Sequence, residues 1–296
     1  MIKLEGCFTA IVTPFRNGKV DFEALKKIVR FQVQNGASGV VPCGSTGEAA
    51  TLSPEEYLAV IKTAVTAAGG RIPVIPGVGT NSTSKSVEMV KKVSALGVDG
   101  LLAIVPYYNK PTQEGMKAHF AAVAGATKLP IILYNIPGRT GVNMLPATAL
   151  GLRKKFLNIV GIKEASGLLD QVSELINGAD KGFTVLSGDD SLTLPMMSVG
   201  ARGVISVASN IAPAQVSSMC RFFLDGNLAG ALRAHHHLFP LIKTLFVETN
   251  PIPVKYAASL LGLCLPEPRL PLTPLTPKNR AKLKKSLAAA GIKRCS

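Results

Sequence analysis

Residues 130–165 read PIILYNIPGRTGVNMLPATALGLRKKFLNIVGIKEA: an apolar run, a Gly/Pro-rich loop, a basic helical stretch around LRKKF, and a second apolar run. Neither run alternates polar with apolar residues. Both are rich in Ile, Leu and Val, as parallel strands covered on both faces are. The unit predicted is a buried strand, a crossover helix and a second strand parallel to the first.

The unit recurs along the chain. Further strands are predicted in CFTAIVTPF from Cys7, GVVPCG from Gly39, IPVIPGVG from Ile72, GLLAIVP from Gly100, FTVLSGDD from Phe183 and GVISVAS from Gly203. With PIILYNIP and IVGIKEA they make eight. Between them lie helical patterns such as DFEALKKIVRFQVQNG and SPEEYLAVIKTAVTAA. The second opens on a capping Ser53, Pro54 at the first helical position and acids in the first turn. The stretch from Ser84 is predicted to end at Gly97. Eight strand–helix units predict an α/β fold, a (β/α)₈ TIM barrel. An open doubly wound sheet is the alternative, but no GxGxxG follows the first strand. Past residue 225 the rhythm changes to three helical stretches joined by the proline-rich LPEPRLPLTPLTP. This predicts a catalytic barrel over residues 1–225 and a C-terminal helical extension over 226–296.

Composition narrows the function classes. The chain has 296 residues, 47% of them hydrophobic and 17% charged, which suits a large core and not disorder. Its net charge of +15 is spread over helical stretches such as LKKIV and VKKVS, with a denser run only at the C-terminus. No nucleic-acid-binding signature accompanies it, so the expectation is a solvated basic surface that helps gather small anions. Five cysteines (Cys7, Cys43, Cys220, Cys264, Cys295) form no CxxC spacing, which points to a reduced, cytoplasmic setting. The N-terminal MIKLEGCFTAIVTPF lacks the features of a signal peptide, and no apolar run reaches the roughly 18 residues of a membrane span.

The chemistry begins at Lys163, mid-strand in IVGIKEA. Burying a charged lysine is costly, so one is rarely placed there for packing. Burial favours the neutral amine, the form that attacks a carbonyl. The bland alternative is a lysine that reaches to the rim or pairs with Glu164. Tyr134 stands near the end of the fifth strand, beside the sixth in a barrel, so its phenol can serve proton transfer at Lys163; alone, it reads equally as a wall aromatic. Arg139 follows in a Gly/Pro-rich loop, where a forked cation suits a carboxylate; alone, a loop arginine reads as surface decoration. The small-residue turn CGSTGEA after strand two offers hydroxyls and N–H groups that suit a carboxylate; alone, it reads equally as an ordinary turn. In VPYYNKPTQEG, adjacent tyrosines leave the strand in different directions, so at most one faces its own pocket. His119 sits in a helical stretch, and His235, His236 and His237 cannot share one helix face. No metal and no cofactor is expected.

Taken in order, GSTGEAATLSPEE, IPGVGTNST, VPYYNKPTQEG, YNIPGRTG, GIKEASG, LSGDD, GARGVISV and ETNPIPVKYA resemble the dihydrodipicolinate synthase/N-acetylneuraminate lyase family over essentially the whole chain. The resemblance implies that Lys163 forms an imine with pyruvate. It makes Tyr134 the proton relay, Thr46 its hydroxyl partner, and Tyr108 a residue lent by a neighbouring subunit of a homotetramer, a dimer of dimers. Arg139 would bind the carboxylate of the incoming aldehyde, and Ser45, Gly188 and Ile205 would line the pyruvate pocket. In the synthase branch the substrates are pyruvate and L-aspartate 4-semialdehyde, joined on the diaminopimelate route to lysine. Two readings compete: a lyase of the same family acting on a sugar acid, N-acetylneuraminate or 2-keto-3-deoxygluconate, and a non-catalytic basic scaffold on the same fold. Ser45-Thr46 departs from the paired threonines of most synthases and matches the sugar-acid lyases, whereas Arg139 and the YYNKPTQEG loop match the synthases. In feedback-regulated relatives the effector positions match Ala50, Pro54, Tyr57, Asn81, Lys85 and Tyr107. A lysine at position 85, where those enzymes have a glutamate, implies weak or absent inhibition by L-lysine.

Overall fold

The computed structural model describes residues 2–293, so Cys295 and the last residues of the predicted extension lie outside the described residues. Eight strands form one sheet: β1 (Gly6–Ala10), β2 (Gly39–Val41), β3 (Gly77–Val78), β4 (Leu101–Ile104), β5 (Ile131–Asn135), β6 (Ile159–Glu164), β7 (Thr184–Ser187) and β8 (Gly203–Ser206). Their order is β2–β1–β8–β7–β6–β5–β4–β3. The pairings of β1 with β2 and of consecutive strands from β3 to β8 are parallel. β2 also meets the segment leading into β3 through a parallel bridge, Val40 to Val74, so the order returns to its start. With helices between successive strands, this is the (β/α)₈ barrel expected from the sequence, and helices Leu228–Leu245, Ile252–Leu260 and Pro277–Ala289 follow it.

Several helix starts follow the side-chain chemistry of their first turns. Ser53 accepts from the Glu56 N–H while the Glu56 carboxylate accepts from the Ser53 N–H, closing a capping box on helix Pro54–Ala68. Asp21 caps Phe22–Gln34 by accepting the Ala24 N–H, and Thr112 caps Gln113–Gly125 by accepting the Gly115 N–H, each without a reciprocal bond. The helix predicted to run from Ser84 to Gly97 instead spans Thr83–Ser94 with Ser82 as its cap. Gly97 stands beyond its end at a φ of +73°, so the left-handed glycine belongs to the turn that follows.

The described chain forms two compact units, residues 2–5 with 75–205, and 6–74 with 206–293. In the first, Leu101, Leu102, Ile131, Leu133, Ile159, Ile162, Val185 and Leu186 are buried strand residues. The register sets Tyr134 against Lys163 and Asn135 against Glu164 across β5 and β6. Since side chains alternate along a strand, Tyr134 and Lys163 share one face, and Asn135 and Glu164 share the other. Gly161, two residues before Lys163, lets β7 close in: a Cβ there would collide with the Thr184 carbonyl. In the second unit the core is Phe8, Ile11, Leu25, Val29, Val40 and Ile61 with Leu238, Leu241, Leu245, Val254 and Leu283 from the C-terminal helices.

None of the four described cysteines is in a disulfide; Cys7, Cys43 and Cys220 are buried and Cys264 half-buried. No helix among the described residues is long and apolar enough to cross a membrane.

Candidate active site

Lys163 lies on β6 with 5% of its surface exposed, so it neither reaches the rim nor sits in water. Its Nζ is 4.1 Å from the centre of the Tyr134 ring. Tyr134 is likewise buried, on β5. Gly188, just past β7, makes room for the lysine stem: a Cβ at that position would stand 3.1 Å from Lys163 Cε and 2.6 Å from Ala165 Cβ. Its N–H donates to the Glu164 carbonyl at 2.7 Å, tying the β7 end to the β6 end. Ile205 is buried on β8. The first unit therefore brings Lys163, Tyr134 and Gly188 into contact distance, on three different strand ends.

Arg139 is exposed in the short helical turn Pro137–Thr140 that leaves β5, and its N–H donates to the Ile136 carbonyl at 3.0 Å. The two tyrosines after β4 are both exposed, to different degrees. Tyr107 is 37% exposed and Tyr108 is 87% exposed. Tyr108 holds a left-handed φ of +73°, with its N–H donating to the Thr140 carbonyl at 3.3 Å. That conformation costs a non-glycine residue on the order of 1 kcal/mol.

Glu164 does not pair with its neighbour Lys163. Its side chain turns to the other face of β6, where one carboxylate oxygen accepts from the Ser166 N–H at 2.6 Å and the other from Gln171 Nε2 at 3.0 Å. Asn135 Nδ2 donates to both, at 3.0 and 3.3 Å.

Ser45 and Thr46 belong to the second unit. Their turn is bracketed by two left-handed non-glycine residues, Cys43 at φ +55° and Glu48 at φ +52°. Gly47 is needed for its close approach, since a Cβ would stand 3.0 Å from the Cys43 nitrogen and 3.2 Å from the Ile11 carbonyl oxygen. Thr46 is buried and its Oγ1 accepts from Asn250 Nδ2 at 2.9 Å. Glu48 forms a fully buried ion pair with Lys255, and its other oxygen accepts the Arg269 N–H at 3.0 Å. Lys255 Nζ and the Arg269 guanidinium also lie over the Phe15 ring, at 4.0 and 4.3 Å. Burial pushes the Lys255 ammonium below its ordinary range, and Glu48 only partly opposes this. Burial pushes the Cys43 thiol far up, and that of Cys264 to about 12. Reading the sequence missed Lys255 and Asn250. A lysine within PIPVKYAASLL carries the same signal that singled out Lys163, an ammonium set in an apolar run.

Among the described residues no group of three or more His, Cys, Asp or Glu side chains could hold a metal ion. His119 is buried against Thr83, its Nδ1 at 3.0 Å from Oγ1, and burial lowers its proton affinity.

Comparison with known proteins gives a consistent result. Residues 3–290 match the model of the dihydrodipicolinate synthetase family. A 4-hydroxy-tetrahydrodipicolinate synthase of Nitratidesulfovibrio vulgaris (strain Miyazaki F) is 48% identical over 98% of this chain and all of its own. The solved 4-hydroxy-tetrahydrodipicolinate synthase from Methylacidiphilum fumariolicum SolV superposes with a TM-score of 0.96, at 47% identity, over 98% of this chain and 96% of that one. A structure of a monomeric dihydrodipicolinate synthase variant is also similar, with a TM-score of 0.96 and 44% identity over 97% of each chain.

Proposed function

This chain belongs to the dihydrodipicolinate synthetase family, and from that premise we propose how its side chains divide the work. The activity is that of a lyase, 4-hydroxy-tetrahydrodipicolinate synthesis from pyruvate and L-aspartate 4-semialdehyde on the diaminopimelate route to lysine. The observation that carries the assignment of residues is the buried Lys163 amine against the Tyr134 ring, with Gly188 clearing its stem.

Lys163 attacks the ketone carbon of pyruvate, and the carbinolamine loses water to give an imine. A proton leaves the methyl carbon, and the resulting enamine forms a carbon–carbon bond to the aldehyde carbon of the second substrate. The substrate amine then displaces Lys163 at the former ketone carbon, closing the ring and freeing the enzyme. Tyr134 delivers the proton with which the carbinolamine hydroxyl departs as water, a transfer of the kind worth about 10²–10⁴-fold. Thr46 and Tyr108 are assigned the remaining hydroxyls of that relay, and Ser45, Gly188 and Ile205 the pyruvate pocket. Arg139 takes the carboxylate of the semialdehyde as a bidentate partner. This last role favours the synthase reading over a sugar-acid lyase, whose aldehyde has hydroxyls and no carboxylate to offer that cation. Tyr108, held outward at φ +73°, suits a residue lent to a neighbouring subunit, so the active form is at least a dimer. Sedimentation of a fully active monomer would overturn that.

The test of the central assignment is reduction with sodium borohydride in the presence of pyruvate. One reduced pyruvyl group is expected on the peptide containing GIKEASG; an adduct on another lysine, or none, refutes the role of Lys163. Faster cleavage of N-acetylneuraminate than condensation of the semialdehyde would refute the substrate reading.

A further inference from the structure

The loop carrying Arg139 leaves β5 at Ile136, and at Asn143 and Met144 its far end is bonded back to the buried Asn135 amide, with Gln113 also holding the Asn143 carbonyl and the Leu145 N–H. Asn135 Oδ1 accepts the Met144 N–H at 2.9 Å, and Asn135 Nδ2 donates to Asn143 Oδ1 at 2.7 Å. The same Nδ2 donates to both oxygens of Glu164. Asn143 Nδ2 donates to Gln171 Oε1 at 2.8 Å, and Gln171 Nε2 donates to Glu164 at 3.0 Å and to Asn143 Oδ1 at 3.2 Å. Asn135 and Glu164 are at most 1% exposed.

These bonds have a fixed polarity. The Met144 and Ser166 N–H groups can only donate, and an ionised carboxylate can only accept. Glu164 therefore leaves Asn135 one satisfied orientation, Nδ2 inward and Oδ1 on Met144. A neutral amide at 164 would place an NH₂ against the Ser166 N–H or against the NH₂ groups of Asn135 and Gln171. Relieving that clash by turning Gln171 or Asn135 over breaks a bond to Asn143 or Met144, at the foot of the Arg139 loop.

The geometry points to Glu164 as a positioning residue for the second substrate: through Asn135, Gln171 and Asn143 its carboxylate sets the orientation of the loop that presents Arg139 to a carboxylated aldehyde. Lys163 and Tyr134 stand on the opposite face of the same two strands, so pyruvate capture is independent of this network. The inference rests on the assignment of Arg139 to the semialdehyde carboxylate.

The experiment measures KM for the semialdehyde and the rate of borohydride trapping of pyruvate in Glu164→Gln, Arg139→Ala and the exchange variant Glu164→Gln/Gln171→Glu. Glu164→Gln is expected to raise the semialdehyde KM about tenfold or more while trapping of pyruvate changes less than about threefold. The exchange variant keeps one carboxylate and one amide in the cluster: the amide at 164 keeps an oxygen facing Ser166 and Asn135 and donates to the carboxylate at 171, at the loss of the longer bond from position 171 to Asn143 Oδ1. It is expected to bring KM back to within about threefold of the parent, which loss of packing alone would not do. An unchanged KM in Glu164→Gln, an equal loss in trapping, or an exchange variant that folds without recovery overturns the inference. If Glu164→Gln gives no soluble protein, the exchange variant alone decides by its KM. If neither is soluble, the half-buried Asn143→Ala reads the same bonds, and an unaltered semialdehyde KM there overturns it. Arg139→Ala separates the two levels: no effect on semialdehyde KM removes the assignment of Arg139 itself, whereas a large effect beside an inert Glu164→Gln removes only the network.

Discussion

Two carboxylates, Glu164 in the first unit and Glu48 in the second, are almost completely buried, and they are satisfied in opposite ways. Glu164 is met by amides and a backbone N–H, groups that cost little to desolvate and that carry direction. Glu48 is met by the Lys255 ammonium and by the Arg269 N–H. An ion pair taken out of water is expensive to make and far more expensive to break, because one partner removed leaves the other charged and stranded. It suits a place where the chain must be held against its preference, and Glu48 is at φ +52° beside the Ser45-Thr46 turn. The amide cluster suits a place where a loop must be presented in one of two orientations. Charge here fixes a backbone; amides aim a loop.

The sharpest division is expected between the two buried lysines. Lys163→Ala should lose at least about a thousandfold in turnover, on the order of 4 kcal/mol of transition-state stabilisation, because no other group supplies the imine. Lys255→Met should instead cost about 3–5 kcal/mol of folding stability by stranding Glu48, read as a lowered urea midpoint. Adding Glu48→Gln to Lys255→Met should recover most of that loss. A stable Lys255→Met single variant, or a Lys163→Ala variant that unfolds more readily than it, would erase the distinction between the units.

A smaller effect is expected one bond away. The Arg269 guanidinium, at 2.6 Å, holds the Glu56 carboxyl down to about 2 from its ordinary 4.5. A lowered carboxyl contributes stability that is whole above the unfolded value and is lost as pH falls through the folded one. The contribution should therefore vanish between about pH 4.5 and 2, and amount to about 1–2 kcal/mol once the partial exposure of the pair is allowed for. Glu56→Gln should show this as a lower stability at pH 7 and a shallower acid decline; an unchanged acid slope refutes it.

The smallest effect concerns L-lysine. Lys85 is exposed, and Tyr57, another effector-matching position, is 7% exposed on helix Pro54–Ala68. A cation at position 85 repels the amino groups of the ligand. Initial rates across a lysine titration should stay near their starting value, and half-inhibition at sub-millimolar lysine would contradict this.

The strands were legible because burial on both faces forces continuous Val, Ile and Leu, a signal that needs no partner to be read. The capping box at Ser53 was legible for the same reason, being local. Lys163 stood out as an expense that packing does not explain. The Glu164 cluster was not legible. Asn135, Asn143 and Gln171 are single polar residues on three segments, without periodicity, and each becomes meaningful only when register brings Asn135 against Glu164. In the sequence Glu164 stands beside Lys163 as an apparent ion-pair partner, but the alternation of a strand puts the two on opposite faces. Asn250 and Thr46 meet across 204 positions, a pairing that no short pattern carries.

The placement of the thiols has a consequence for chemoselectivity. Aldehydes and α-keto acids are captured by thiolates as hemithioacetals, a side reaction that would drain an enzyme handling both. Cys7, Cys43 and Cys220 are shut away from such electrophiles, and the half-buried Cys264 keeps its proton at any physiological pH. Among the described residues, the soft nucleophiles are withheld, and the carbonyl is left to the amine.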